Sequence, residues 1–163
     1  MTRTLTSKPP SRFKLAERIL ELSFAQTWDE AKREWELDHI YFADPWSPGT
    51  CLCGHSPIVE QCELFNSLTG ETVTVGNHCV ARFLDLRSEG LFRAIRRVAA
   101  DHERRLSVAA AEFAWKKGWL TEWDRIFCVS LHRGRKRTRS LSPRQAEIMV
   151  RINKTILRHV GHS

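Results

Sequence analysis

The sequence predicts an α+β protein, mainly helical, with a treble-clef-like zinc module of knuckle, β-hairpin and helix embedded among helices. Apolar residues recur at helical spacing over most of the chain. One stretch, "TCLCGHSPIVEQC" at residues 50–62, breaks that period and holds three of the five cysteines and one of the seven histidines. Immediately after it, two strand-like runs flank a polar turn.

Compartment decides how such cysteines are read. The N-terminus "MTRTLTSKPPSRFK" is basic with no apolar run behind it, which predicts no signal peptide. No stretch approaches the roughly 20 apolar residues of a membrane span. The expectation is a cytoplasmic protein with reduced thiols and no membrane partner. Five cysteines is also an odd number for a disulfide framework. At 163 residues, 42% apolar and 28% charged, the chain suits one domain with a small embedded module.

The elements follow in order. "SRFKLAERILELSF" places Leu15, Ile19 and Leu22 at helical spacing, with Ser11 as cap. "TWDEAKREWEL" reads as a second helix, its Thr27 and Glu30 spaced as a capping box. "DHIYFADPWSPGT" then breaks the period with Pro45, Pro48 and Gly49, and helix gives way to a strand and a loop. "CELFN" and "ETVTV" form a hairpin around "SLTG", whose Gly70 is free to take positive φ. Gly76 and Asn77 open a helix through "HCVARFLDL".

Helices dominate from Ser88. Leu106, Ala109, Ala110, Phe113 and Ala114 make an apolar stripe ended by Gly118. "TEWDRIFCVSLHRG" is capped by Thr121 and ended by Gly134, and the last helix has Ser142 as cap, Pro143 in its first turn, and Ile148, Ile152 and Ile156 inward. The predicted organisation is a flexible leader at 1–10, N-terminal helices at 11–37, a zinc-binding ββα module at 38–87, and a helical region at 88–160 with a basic loop at 132–140.

Zinc prefers four tetrahedral soft or borderline ligands, and Cys51, Cys53, Cys62 and Cys79 supply a full set of thiolates. The first pair is C-x-C rather than the usual C-x-x-C. His55 is the alternate ligand, in place of Cys62; His78, about 100° from Cys79 on a helix, does not share an ion with it. Cys128, inside "RIFCVSL", reads as a small buried side chain.

Rival chemistries fit less well. A redox pair is usually C-x-x-C at a helix start, and no third group orients a base for a Cys-His nucleophile. "LDHIYF" resembles the Asp-His start of an HNH nuclease core, but Asp38 and His39 precede every cysteine, whereas that core places them between the knuckle halves. With four protein ligands the zinc has no open position for water, so the reading is structural zinc and no enzyme.

"AKREWEL" followed by "PGTCLCGHSPIVEQCELFNSLTGETVTVGNHCVARFL" resembles a recurring family of small, mostly uncharacterised bacterial and phage zinc-finger-like proteins. Its pattern is a C-x-C-G-[HK] knuckle, an N-x-x-T-G turn and a V-G-N-x-C-V helix start. Residues 121–157 are similar, more loosely, to the L-S-x-x-Q helical tail often attached to it. The resemblance implies a zinc module fused to helices, frequently on a phage, plasmid or other mobile element, and no established activity. It carries over to Cys51, Cys53, Gly54, Cys62, Gly70, Gly76, Asn77 and Cys79. His55 falls at a position taken by His or Lys, which favours Cys62 as the fourth ligand.

Function is then expected on surfaces. Net charge is +7, and from Leu131 onward nine Lys or Arg face one Glu, a balance of +8 that leaves the rest of the chain at −1. Arg133, Arg135, Lys136, Arg137 and Arg139 in "HRGRKRTRS", with Lys116 and Lys117, are the expected contacts to DNA or RNA phosphates. Trp115 and Trp119 are candidate platforms for unpaired bases. The first reading is a zinc-stabilised nucleic-acid-binding accessory protein. The alternative is an interaction module that docks on a larger host or defence enzyme and inhibits or regulates it.

Overall fold

The computed structural model describes residues 12–84, 87–133 and 140–161. Over these the protein is α+β and about half helical, with seven α-helices and one three-stranded antiparallel sheet. The elements are α1 (Arg12–Glu21), α2 (Trp28–Ala31), a 3-10 turn (Lys32–Glu34), β1 (Trp35–Phe42), β2 (Glu60–Asn66), β3 (Thr72–Gly76), α3 (Asn77–Phe83), α4 (Glu89–Ala100), α5 (Val108–Lys116), α6 (Glu122–Ser130) and α7 (Pro143–His159). The chain divides into two compact units, Met1–Ser88 and Glu89–Ser163. No helix among the described residues is long and apolar enough to cross a membrane. The expected leader and the Ser11 cap lie outside the described residues.

In the first unit the sheet order is β1-β2-β3, so β2 is central. The second helix expected from sequence is much shorter than its pattern: Trp35–Leu37 already belong to β1. The reason is Glu34. Its carboxylate accepts the Phe24 and Ala25 N–H groups at 2.8 and 2.7 Å and the Asn66 side-chain amide at 2.9 Å. That ties the end of the helical turn to the end of β2. Burial pushes the Glu34 carboxyl up, but these three donors outweigh it and hold the group below its ordinary range. Nor does the Thr27 hydroxyl cap a backbone N–H; it donates to the Glu30 carboxylate at 2.6 Å.

β1 also breaks strict alternation. Its register with β2 pairs Leu37 with Leu64 and His39 with Glu63, leaving Asp38 as an extra residue. Trp35 and Leu37 share a face before this bulge and Ile40 after it, so the inward position changes from odd to even numbers. The inward face continues through Cys62 and Leu64 on β2 and Val73 and Val75 on β3, all buried. The hairpin turns at Gly70, whose φ of 76° falls in the left-handed region that glycine enters without penalty.

The second unit is helical. Leu91, Phe92, Ile95 and Val98 of α4 are buried, as are Met149, Ile152, Ile156 and Leu157 of α7, and Ala110, Ala111 and Ala114 of α5. The α5 stripe differs from the sequence pattern: Ser107 caps the helix by accepting the Ala110 N–H, so Leu106 precedes it and Ala109 is exposed. Ser142 and Thr121 both cap as their sequences predict, each in a reciprocal box, with Gln145 and Asp124 respectively. Ile148 is only half-buried, and Met149 is the core residue beside Ile152. Asn153 is fully buried and donates to the His102 and Arg104 carbonyls at 2.7 and 2.8 Å, fixing the α4–α5 connection against α7.

Asp124 links a helix cap to a second helix. Its carboxylate accepts from the Thr121 N–H and hydroxyl and, at 2.6 Å, from the Arg151 guanidinium on α7. Burial pushes its pKa up, yet Arg151 and Thr121 together hold it below the usual carboxylate value. Its stabilisation is therefore present above the unfolded carboxylate pKa and lost as pH falls through the folded one. Asp124→Ala should destabilise the second unit by about 1–2 kcal/mol at neutral pH. In denaturant titrations at pH 7 and pH 3, the gap between variant and parent should shrink at the lower pH.

Candidate metal centre

Two segments, the knuckle loop and the start of α3, bring three sulfurs to one place. A bridge between Gly49 and Ile58, with Gly49 N–H on the Ile58 carbonyl and Ile58 N–H on the Gly49 carbonyl, both at 2.9 Å, closes the base of the knuckle loop. Inside it Gly54 N–H donates to the Cys51 carbonyl at 2.8 Å, and the turn needs Gly54 at φ 88°. Leu52 N–H donates to Thr74 on β3 at 3.1 Å, so the knuckle is fastened to the hairpin. The third sulfur arrives from the first turn of α3, which Gly76 and Asn77 start directly at the end of β3.

The outcome is a buried cluster of Cys51, Cys53 and Cys79, whose sulfur atoms all lie within 4.8 Å of one another. Cys79 Sγ is 3.6 Å from Cys53 Sγ. Four thiolates at about 2.3 Å around zinc would stand about 3.8 Å apart, so the spacing suits a shared tetrahedral ion. Gly76 N–H donates to Cys51 Sγ at 3.2 Å, the kind of outer contact that steadies a metal-bound thiolate.

Electrostatics agree with that role. The Cys79 thiol facing Cys51 stabilises its thiolate, and against the opposing effect of burial the N–H groups of Gly76 and Cys53 help bring Cys51 down to about 5. Cys79 is pushed up, first because it donates to Cys51 and then because it is buried. Burial likewise raises Cys53, although the His55 backbone N–H works in the other direction. Without a cation the cluster thus favours a single thiolate, at Cys51, while Cys53 and Cys79 are held protonated.

Cys62 is not one of these three, although its thiol is near enough to be raised by the Cys51 charge. It is fully buried in β2, paired with Ile40 on one side and Val75 on the other, and burial pushes its thiol up to about 12. Cys128 is buried on α6 and raised to about 12 by the same effect. His55 sits in the knuckle between the cluster and Pro57, half-buried. His78, beside Cys79, is exposed. Asp38 is the bulge residue of β1 and His39 lies next to it, its ring 6.0 Å from that of Tyr41.

A polar network that the spacing did not disclose supports the helix bearing Cys79. Asn77 donates to Glu60 at 2.9 Å, and the buried Ser88 hydroxyl donates to Asn77 at 2.6 Å. Asn77 belongs to the V-G-N-x-C-V segment, so the position was visible in sequence while its partners were not.

The residues expected on nucleic acid fall in the second unit. Arg133 and Lys116 are exposed, and Lys117 is half-buried with its ammonium 5.8 Å from the Phe113 ring. Arg135, Lys136, Arg137 and Arg139 lie outside the described residues, as does Gly134. His132 is the start of the expected loop, but its ring is held at 2.8 Å from the Leu106 carbonyl. The two tryptophans named as platforms have protein neighbours: Arg125 lies 4.4 Å over Trp115, and Trp119 stacks on His159 at 5.2 Å. Trp123 on α6 is instead 57% exposed and stacked on Phe127.

Comparisons with family models, with curated proteins and with solved structures returned no match. What the cluster does is therefore argued from its chemistry.

Cys51→Ser, Cys53→Ser and Cys79→Ser should each abolish tight metal uptake, whereas Cys128→Ser should leave it unchanged. Metal content of the purified variants, determined by elemental analysis, checks both halves of this expectation.

Proposed function

We propose that the protein is a zinc-stabilised nucleic-acid-binding accessory protein, its first unit organised as a treble-clef-like module and its second offering a basic surface to phosphates. The observation that carries the metal half is the convergence of Cys51, Cys53 and Cys79 from a knuckle and a helix start on either side of a hairpin. Soft thiolates in a tetrahedral arrangement select zinc over the hard cations, which take oxygen ligands. With this donor set zinc would neutralise thiolate charge and cross-link the knuckle, hairpin and α3. The residues around it then serve to hold backbone in place; none is poised to activate a substrate.

The partner half rests on charge. The +8 balance lies from Leu131 onward in sequence, where Arg133 is exposed, and phosphate neutralisation by Lys and Arg is the usual source of such affinity. Trp123, exposed one helix away from Trp115, takes the stacking role that the sequence had suggested for Trp115 and Trp119. A second reading is favoured by a different observation: Trp123 and Ile126 sit three residues apart on α6, 57% and 53% exposed, as an apolar patch suited to a protein partner.

Purified protein should contain about one zinc per chain. Removing it with a chelator should unfold the first unit, since structural zinc supplies on the order of 10 kcal/mol in small modules. Circular dichroism and hydrogen exchange before and after chelation measure this, and identical stability in both states would refute the metal reading. For the partner, log K for DNA or RNA should fall with log salt at about −0.7 to −0.9 per phosphate neutralised. Replacing Arg135, Lys136 and Arg137 together with Ala should lower the magnitude of that slope by about two to three. Absence of binding at low salt, with capture of a protein through the Trp123 patch, favours the second reading.

A further inference from the structure

We propose that His55 is the fourth protein ligand of the metal centre, coordinating through Nδ1 to complete a set of three thiolates and one imidazole with Cys51, Cys53 and Cys79. The proposal rests on the metal reading above and decides what that reading leaves open. A tetrahedral ion in a site of this kind needs one more donor, and the described cluster supplies three.

The first argument is an unpaired atom. His55 Nδ1 is shielded from solvent and has no hydrogen-bond partner. Among the described residues two other buried side-chain atoms share that condition, Arg125 Nε and Asn153 Oδ1, but their side chains bond elsewhere, to Glu112 and to the His102 and Arg104 carbonyls. A buried ring nitrogen without a partner is costly unless something meets its lone pair. A metal ion does so.

The second argument is the backbone of His55. Its carbonyl accepts the Cys51 N–H at 2.9 Å, and its N–H faces the Cys53 sulfur. Both contacts fix the residue beside two of the three thiols before its side chain is considered. The two ring nitrogens are not equivalent: Nδ1, the nearer to the main chain, is the one that is buried without a partner and is the proposed donor. The ring nitrogens lie outside the group of atoms within 4.8 Å of one another that the three sulfurs form, so binding a shared ion requires the imidazole to move toward them.

The rival donor is held by the sheet. Cys62 lies in the middle strand, in register with Ile40 and Val75, and faces the Ser88 hydroxyl. Its thiol feels the Cys51 charge but is not among the three sulfurs grouped within 4.8 Å. The Lys found at the His55 position in the resembling proteins bears on their ligand sets and leaves the placement of this histidine unchanged.

The test is cobalt substitution of the full chain. Thiolate-to-cobalt charge-transfer absorption grows with the number of coordinated sulfurs, so the parent protein should give the intensity of three thiolates and the ligand-field bands of a site with three sulfur donors and one nitrogen. His55→Cys should add a fourth thiolate, His55→Ala should weaken affinity by more than about tenfold, the cost that even outer-shell partners carry, and Cys62→Val should leave the spectrum unchanged. A Cys62→Val spectrum that loses one thiolate, with His55→Ala indistinguishable from the parent, overturns the proposal. Should Cys62→Val not fold, the nitrogen NMR shifts of His55 in the zinc-loaded parent decide: a metal-bound shift at Nδ1 supports it and a free imidazole pattern overturns it. A parent protein that takes up neither cobalt nor zinc refutes the metal reading itself, an outcome distinct from a metal bound by Cys62.

Discussion

The first unit depends on the convergence of three buried sulfurs. Cys51 and Cys53 come from a loop with little apolar content, and Cys79 from the first turn of a seven-residue helix; neither segment has much core of its own. Isolated helices of that length are marginal in water. What fixes α3 is its contact with β2 and β3, the Glu60–Asn77–Ser88 chain of hydrogen bonds, and the sulfur cluster at its start. Three thiols packed together without a cation favour at most partial ionisation, since a thiolate at Cys51 raises both Cys53 and Cys79. A cation reverses that balance, which is how one site can organise three segments.

The second unit solves the same problem by ordinary means. Its longest helix, α7, buries Met149, Ile152, Ile156 and Leu157 on one stripe, and its caps are local. Polar side chains then set the angles between helices: Asp124 joins the start of α6 to Arg151, and Asn153 joins α7 to the loop after α4. Near the other end of α6, Arg105 donates to the Leu131 carbonyl while His132 meets that of Leu106. These two contacts fix where Arg133 leaves the helical body.

What could be read from sequence follows the range of the interactions involved. Caps at Thr121 and Ser142 and the turn at Gly70 were legible because each depends on residues two or three apart. Cys51, Cys53 and Cys79 were legible as a group because few other roles place thiols around a hairpin and a helix start. Cys62 was ambiguous in principle, because cysteine is both a good ligand and a good core residue, and its place in β2 opposite Ile40 and Val75 is visible only in the fold. β1 was missed at its start because "KREWEL" carries helix-forming residues and the bulge at Asp38 breaks the two-residue alternation that identifies a strand. The neighbours of Trp115 and Trp119 lie 10 and 40 positions away, beyond any local pattern.

The bulge has a further consequence for how copies of this chain treat one another in solution. β1 borders the sheet on one side, and its sequence, with Trp35, Ile40, Tyr41 and Phe42, is the kind that invites another strand to add alongside. An extra residue at Asp38 interrupts the even ladder that such an incoming strand would need and places a carboxylate at the break. The irregularity that hides β1 from the sequence pattern is thus also the kind of break that natural sheets place on border strands to discourage edge-to-edge pairing.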